Sequence, residues 1–297
     1  MPDRNVMEAD PRELHQKPPF EEPGQRPPGL ESEMRNRPDH GEQTYQGSGR
    51  LRGKSALITG GDSGIGKAVA IAYAREGADV VISYTPQEEK DGQDTVRWIE
   101  SAGRKALAVP GDVGDESYCR DLVERTFREF GRLDVLVNNA AYQMTHEKLE
   151  EFGSDEWDHT FRTNLYSMFY FAKAAIPRMK PGGAVINTAS VQAYNPRGTL
   201  LAYATTKGAI VTFTKALSDL AIENGIRVNA VAPGPVWTPL IPTTLSPDHV
   251  KKFGKDTAME RPAQPAELAP AYVFLACGDS SYITGSILDL TGGKMLP

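Results

Sequence analysis

Short apolar runs alternate with longer segments of helical period from residue 54 to near the end of the chain. The runs are apolar at nearly every position, which is typical of strands buried on both faces. The segments between them, such as residues 64–77 and 118–131, repeat apolar positions at helical spacing. This alternation predicts an α/β fold of the Rossmann type, a doubly wound parallel sheet of seven strands covered by helices. The predicted strands are residues 55–59, 79–84, 105–109, 133–138, 183–188, 226–232 and 286–290.

The first 50 residues differ from the rest in composition. They hold 8 of the 22 prolines and only two aromatic residues, Phe20 and Tyr45. Such a segment buries too little apolar surface to offset the entropy lost on ordering. We therefore divide the chain into a proline-rich extension, residues 1–50, and one Rossmann-fold domain, residues 51–297. The extension is expected to be disordered, or to gain order by packing on a neighbouring subunit.

Composition excludes several classes of function. The net charge of −6 and the scattered basic residues give no footprint for nucleic acid. No apolar run is long enough to span a membrane, and no secretory signal precedes the domain, so we expect a cytoplasmic location without membrane association. Cys119 and Cys277 fit no metal-binding spacing and are expected to be buried thiols, and we expect no metal site.

A glycine-rich turn follows the first predicted strand directly. The stretch "TGGDSGIG", residues 59–66, places Gly60, Gly64 and Gly66 between that strand and a helix. Glycines let the backbone approach a pyrophosphate, and the helix N-terminus offers free N–H groups. The turn predicts a dinucleotide site at the carboxyl edge of the sheet, although an ordinary βα turn also has this composition.

Two further strands end in polar residues at the same predicted edge. Asp112 follows the third strand and Asn138 ends the fourth, where an adenine and its ribose would lie. Asp112 is equally suited to capping the next helix.

Tyr203 and Lys207 are four residues apart in the helical stretch "AYATTKGAI". Residues i and i+4 share one helix face, so the ammonium can lie beside the phenol. Taken alone, the pair also fits a helix surface on which the lysine stem packs against the ring.

The ordered set of motifs from residue 51 to residue 297 resembles the short-chain dehydrogenase/reductase superfamily. It most resembles bacterial members with a proline-rich N-terminal extension, some of them described as general stress proteins or aldehyde reductases. The motifs are "TGGDSGIG" (59–66), "NNAA" (138–141), a serine after the fifth strand, "YATTK" (203–207), "PGPVWT" (233–238) and "SYITGSILDLTGG" (281–293).

The resemblance implies four catalytic residues, Asn164, Ser190, Tyr203 and Lys207, all of which are present. Tyr203 would be the general acid and base, Ser190 would hold the reacting oxygen, and Asn164 would hold a water that relays protons to Lys207. We expect the ammonium of Lys207 to lower the pKa of Tyr203, which is near 10 for a free phenol. An asparagine with a purely structural role is the alternative for Asn164.

The resemblance also implies a nicotinamide cofactor, NAD or NADP. Lys207 would bind its ribose hydroxyls, Val236 its carboxamide and Thr238 a phosphate. The expected contacts are Gly60, Asp62, Ser63, Gly64, Ile65, Gly66, Tyr84, Asp112, Val113, Asn139, Ala140, Tyr203, Lys207, Pro233, Gly234, Val236 and Thr238.

The choice between NAD and NADP stays open at this stage, with a slight lean towards NADP. The second strand ends in Ser83, Tyr84 and Thr85, without the acid that selects NAD or the arginine that attracts the NADP phosphate.

The reaction would be hydride transfer between the nicotinamide and a small alcohol or carbonyl compound, that is, an aldehyde, a ketone or a sugar alcohol. We expect residues 234–264, which lack a strand signal, to form a lid or substrate loop. The expected substrate-facing residues are Gln192, Tyr194, Asn195, Trp237, Leu240 and Ile241.

Two other interpretations stay open. In the first, the chain keeps a dinucleotide pocket as a sensor or scaffold without useful turnover, because fold and pocket do not guarantee chemistry. Alternatively, the extension is an interaction arm on a housekeeping enzyme. The resemblance further implies a homotetramer built by the helices that contain Asn164 and Tyr203 and by the last strand.

Overall fold

The computed structural model of the chain describes residues 9–294, and these contain one parallel sheet of seven strands. The strand order is β3-β2-β1-β4-β5-β6-β7, and every neighbouring pair is parallel. The predicted fold class is confirmed. The strands are β1 Ser55–Thr59, β2 Asp79–Tyr84, β3 Ala106–Pro110, β4 Val135–Asn138, β5 Ala184–Thr188, β6 Arg227–Pro233 and β7 Ile287–Leu290.

Helices cover both faces of this sheet. Consecutive strand residues point to opposite faces, so Leu57 belongs to one buried cluster and Ile58 to the other, and both are fully buried. This is why the strand sequences are apolar at nearly every position. The helices are α1 Gly64–Arg75, α2 Glu89–Ser101, α3 Glu116–Phe130, α4 Ser154–Phe161, α5 Ser167–Ala175, α6 Leu201–Ala221, α7 Leu240–Thr244, α8 Pro247–Lys251 and α9 Pro265–Ala276.

The strand order reverses direction at β1. The chain runs outward from β1 to β3 and then returns to β4 on the other side of β1. In open α/β sheets, ligands bind in the crevice at the carboxyl ends of the strands beside such a reversal. The glycine turn after β1 and the polar residues after β4 therefore meet at the expected crevice.

The N-terminal arm, residues 9–50, lies against the rest of the same chain. Phe20 is 2% exposed and stacks on Trp237 at 4.2 Å between ring centroids. The Tyr45 hydroxyl donates a hydrogen bond of 2.7 Å to Glu76. The described part of the arm is thus ordered on its own chain, whereas composition favoured a disordered tail; packing on a neighbouring subunit stays a prediction. A few buried anchors fix the arm, and its prolines reduce the entropy that ordering costs.

Residues 234–264 form a loop with two short helices, α7 and α8, in agreement with the absence of a strand signal. Its two ends meet, because Trp237 N donates to Ala263 O at 2.9 Å and Val236 pairs with Ala263 in an isolated bridge. Cys119 and Cys277 are both buried free thiols, as expected. Among residues 9–294, no helix is long and apolar enough to cross a bilayer.

Candidate active site

The glycine turn after β1 is closed by the residues that follow β4. The Asn139 side chain donates hydrogen bonds of 3.1 Å to Thr59 O and to Gly60 O. The Thr59 hydroxyl accepts hydrogen bonds from the backbone of Asn139 at 2.9 Å and of Ala140 at 3.0 Å. A Cβ on Gly66 would lie 1.8 Å from Gly60 O, so the turn tolerates only glycine there. The structure thus brings the first-strand and fourth-strand motifs together.

Helix α1 begins immediately after this turn, with Ser63 as its N-cap residue and Gly64 as its first residue. A Cβ on Gly64 would lie 3.0 Å from the side chain of Thr238, so the motif after β6 also reaches the turn. In the same motif, Gly234 packs closely on the backbone after β7, since a Cβ on Gly234 would lie 2.9 Å from Thr291. Residues 233–238 therefore border the crevice on the side opposite β2.

Asp62 is the buried carboxylate of the turn. It is 2% exposed, and within residues 9–294 its Oδ2 atom has no hydrogen-bond partner. Burial, and then the negative charge of Glu88, raise the pKa of Asp62 well above its usual value. A buried oxygen of this kind is costly without a partner, which marks it as a candidate ligand contact.

The polar residues at the carboxyl ends of β2, β3 and β4 have different surroundings. Tyr84 is buried, and its hydroxyl donates to Glu89 at 3.0 Å. Asp112 is exposed and accepts from Gly114 N at 2.8 Å, so it stabilises the turn after β3, while the adjacent Val113 is buried. Asn138 is buried below the edge and donates to the Asn187 side chain at 2.9 Å, which ties β4 to β5.

Ser190, Tyr203 and Lys207 meet at the carboxyl end of β5. Ser190 follows that strand, and its hydroxyl oxygen accepts from Gln192 N at 3.2 Å. Tyr203 and Lys207 share one face of α6, with the Lys207 Nζ 5.2 Å from the centroid of the Tyr203 ring. The same Nζ donates to Thr188 O at 2.7 Å, which fixes the ammonium under the strand end.

Burial dominates the titration of this pair. It raises the pKa of Tyr203 to about 12, against the lowering effect of a hydrogen bond with Ser190. It lowers the pKa of Lys207 to about 7. The expectation that Lys207 lowers the pKa of Tyr203 is therefore wrong for the protein alone. The ammonium is itself destabilised by burial, and it points at a carbonyl oxygen rather than at the phenol.

Asn164 lies in a π-helical turn, Arg162–Tyr166, between α4 and α5. It is fully buried, and its Oδ1 accepts from Tyr142 N at 2.7 Å. Its Nδ2 donates to Tyr142 O at 2.9 Å and to the Thr206 hydroxyl at 3.1 Å. The side chain thus links the loop after β4 to α6. Turns of this type inside α-helices are frequent at functional sites.

The substrate side of the site differs from the sequence expectation at Trp237. This residue is 1% exposed, its ring is covered by Phe20, and its Nε1 donates to Asn36 O at 2.7 Å. Trp237 is an anchor for the arm and does not line an open path to Ser190. The composition of the arm gave no signal for this contact, because it depends on a single aromatic residue.

Sequence reasoning also missed a set of contacts between the arm and the turn. The Glu31 carboxylate accepts from Gly64 N at 3.1 Å and from Lys67 Nζ at 2.7 Å. His40 lies with its Nε2 atom 2.8 Å from Glu31 and its Nδ1 atom 3.0 Å from Glu42. Lys67, one helical turn after Gly64, was the one visible signal, because a buried lysine needs a carboxylate partner.

Comparisons with known proteins agree with this geometry. The family model described as Enoyl-(Acyl carrier protein) reductase matches residues 60–294. General stress protein 39 of Bacillus subtilis (strain 168) is 49% identical over 271 residues, which are 91% of this chain and 94% of that protein. NADPH-dependent aldehyde reductase 1, chloroplastic, of Arabidopsis thaliana is 46% identical over 275 residues, 91% of this chain and 96% of that protein.

Solved structures of short-chain dehydrogenases share the fold of this chain. A short chain dehydrogenase from Burkholderia cenocepacia J2315 in complex with NADP has 32% sequence identity and a TM-score of 0.77, covering 82% of this chain and 98% of that chain. The matches span the glycine turn, the residues at the end of β5 and helix α6. The chain therefore belongs to the short-chain dehydrogenase/reductase superfamily of oxidoreductases.

Proposed function

We propose that this protein transfers a hydride between NADP(H) and a small carbonyl or alcohol substrate, with aldehyde reduction as the favoured direction. The observation that carries the proposal is the meeting of Ser190, Tyr203 and Lys207 at the strand end that faces the glycine turn. The NADP-bound structural neighbour and the NADPH-dependent plant relative support the choice of NADP. NAD stays an alternative cofactor, because the end of β2 carries neither of the usual selecting residues.

The crevice fits a dinucleotide on two observations. The turn is compact, since a Cβ on Gly66 would lie 1.8 Å from Gly60 O, and such a glycine turn lets the backbone approach a pyrophosphate. The buried Oδ2 of Asp62 lacks a partner within residues 9–294, and an adenosine ribose hydroxyl would supply one. We propose that the backbone N–H groups of the turn hold the pyrophosphate, apart from Gly64 N, which already donates to Glu31. Asn139 and Ala140 would border the adenosine, with Val236 and Thr238 next to the nicotinamide half.

Tyr203 is the proposed proton donor. When bound, the reduced cofactor supplies the hydride to the carbonyl carbon. A phenol with a pKa of about 12 is protonated at neutral pH, so Tyr203 can deliver its proton to the carbonyl oxygen at once. Ser190 donates a second hydrogen bond to the same oxygen and fixes its position. The NADPH-dependent aldehyde reductase among the relatives is the support for reduction as the direction, and the protonated phenol agrees with it.

Lys207 and Asn164 would restore that proton. Lys207, with a pKa of about 7, exchanges protons readily at neutral pH. The Asn164 side chain is held by Tyr142 and by Thr206, the residue next to Lys207, so Asn164 lies close to the lysine. The resemblance to the family is the support for a relaying water at this residue. We propose this pair as the path that reprotonates the tyrosine.

We further propose that the enzyme is a homotetramer. Phe169 on α5 is 50% exposed, and Leu220 on α6 is 71% exposed. Large apolar side chains exposed on the helices that follow Asn164 and Tyr203 are expected of a subunit interface. Light scattering of the purified protein would give four times the chain mass of 32.4 kDa if this is right.

A substrate screen tests the proposed function. The purified full chain is assayed with aldehydes, ketones, sugars and polyols in the presence of NADH, NAD, NADPH or NADP, with the nicotinamide absorbance as readout. The proposal predicts oxidation of NADPH with small aldehydes. Cofactor binding without turnover of any of these compounds would favour the sensor or scaffold alternative.

A further inference from the structure

The arm crosses the opening of the crevice between residues 24 and 33. At one end, Gln25 N donates to Pro242 O at 3.1 Å. Gly29 packs so tightly on the same loop that a Cβ would lie 2.2 Å from the Thr243 hydroxyl. The next contact is Glu31 on Gly64 N, at the glycine turn itself. The arm therefore passes directly over the N-terminus of α1.

The other end of this segment is fixed on the helix after β2. The Asp91 carboxylate accepts from Glu31 N at 2.7 Å and from Ser32 N at 3.1 Å. Because β2 and its following loop border the adenosine half of a bound dinucleotide, the arm forms a wall at that half of the crevice. Contacts on both sides hold this wall in one place.

A cavity lies between this wall and the loop after β2. Its volume is about 390 Å³, within the range of ligand pockets. Its lining includes Gln87, which lies three residues beyond the end of β2, and the arm residues Arg26 and Glu33. The remaining lining residues are Gly24, Gln25, Pro28, Gly29 and Leu30.

Arg26 is the cation of this cavity. It is exposed, and it forms no ion pair with any group in residues 9–294. Lys67, which follows the glycine turn, is already held by Glu31 and Asp94 at 2.7 Å and 2.8 Å. Arg26 lines the same cavity as Gln87, which follows β2, and a guanidinium is suited to phosphate recognition. The residues at the end of β2 itself, Ser83 to Thr85, include no basic side chain.

We propose that the N-terminal arm completes the adenosine end of the cofactor site and that Arg26 binds the 2′-phosphate of NADP(H). This inference rests on the proposed dinucleotide-dependent function. Glu33 shares the cavity and its negative charge repels the phosphate. The preference for NADP over NAD then depends on the balance between attraction by Arg26 and repulsion by Glu33. The arm is then a specificity element that the rest of the fold does not provide.

Equilibrium binding to the full chain tests this assignment without any turnover. Dissociation constants for NADP, NAD and 2′,5′-ADP are measured by calorimetry for the wild type and for Arg26→Ala. The expected result is about 10- to 100-fold weaker binding of NADP and 2′,5′-ADP, the usual loss for a charge-assisted hydrogen bond, with the NAD constant unchanged. Arg26→Lys should recover part of the loss, because it keeps the charge.

Two further variants complete the design. Glu33→Gln should tighten NADP binding several-fold, since it removes a repulsive charge. Arg35→Ala changes an exposed arm arginine that does not line the cavity, so it should bind NADP like the wild type. Thermal unfolding of each variant reports whether the arm and fold are retained.

The outcomes separate this inference from the proposed function. If the wild type binds NADP and Arg26→Ala binds it with the same dissociation constant, the role of Arg26 is overturned but the proposed function is not. Equal weakening of NAD and NADP by Arg26→Ala also overturns it, because the effect would not involve the 2′-phosphate. Wild type that binds neither dinucleotide overturns both proposals.

Discussion

Phe20→Ala is the most direct perturbation of the arm. Phe20 is 2% exposed, and its ring lies 4.2 Å from Trp237 with an interplanar angle of 15°. Removing a buried phenylalanine costs about 3–5 kcal/mol, of which stacking contributes about 0.5–1.5 kcal/mol. The surrounding cluster is separate from the two large cores, so the loss falls on docking of the arm. We expect a loss of about 3 kcal/mol, the low end of that range, which is about a 100-fold change in the docking equilibrium.

Tryptophan fluorescence measures this docking. Trp237 is 1% exposed under Phe20, so release of the arm should shift its emission to the red. The measurement uses a background with Trp98→Phe and Trp157→Phe, which leaves Trp237 as the sole indole of the three in the sequence. Urea titrations of this protein with and without Phe20→Ala give the free energy of the first transition.

A matched control uses Leu149→Ala, at a position that is 73% exposed. An exposed residue of this kind should change stability by no more than about 0.5 kcal/mol. If Phe20→Ala also changes the free energy by less than about 1 kcal/mol and leaves the emission unshifted, the arm is not anchored as described.

Three further predictions follow from the buried charges and the arm. Burial opposes a charge on His40, but Glu31 and Glu42 outweigh it and raise the pKa of His40. The stabilisation by this charge is therefore complete below pH 6.5, the pKa of a free histidine, and is lost as pH rises through the raised pKa. In urea unfolding measured at increasing pH, His40→Gln should remove this decline. Burial lowers the pKa of Lys207 to about 7. Above that pH, Lys207 is protonated in the unfolded chain but not in the folded chain, so this residue destabilises the folded state. Lys207→Met should raise the free energy of unfolding at neutral pH by about 1–3 kcal/mol while it abolishes turnover; a loss of stability would contradict this account. Deleting residues 1–45 should weaken NADPH binding about tenfold or more in a fluorescence titration, because one charge-assisted contact is lost. The number of subunits measured by light scattering should stay the same. An affinity equal to that of the full chain would show that the arm is dispensable for binding.

The sheet was predictable because its strands are buried on both faces. The predicted bounds of β1 and β2 agree with the structure, and the other strands differ by one or two residues at an end. The pairing of Tyr203 with Lys207 was equally accessible, since spacing on a helix fixes which residues share a face. These features depend on local periodicity, which the sequence carries directly.

The arm and the charges of the site were not predictable in this way. Placement of the arm depends on a few long-range contacts, such as Phe20 with Trp237 and Glu31 with Gly64, which leave no periodic signal. The pKa of Tyr203 depends on how deeply both partners are buried, and a spacing of four residues does not encode burial. Composition shows that the arm has few apolar residues, but it does not show which surface Phe20 and Tyr45 pack against.

Replacing Tyr203 by phenylalanine tests the central claim most directly, because it removes the proposed proton donor and leaves the ring in place. NADPH binding, followed by fluorescence titration, should stay within about threefold of the wild type, whereas turnover of an aldehyde found in the screen should fall at least about 100-fold. A variant that keeps wild-type turnover would contradict the assignment of Tyr203 as the group that protonates the substrate.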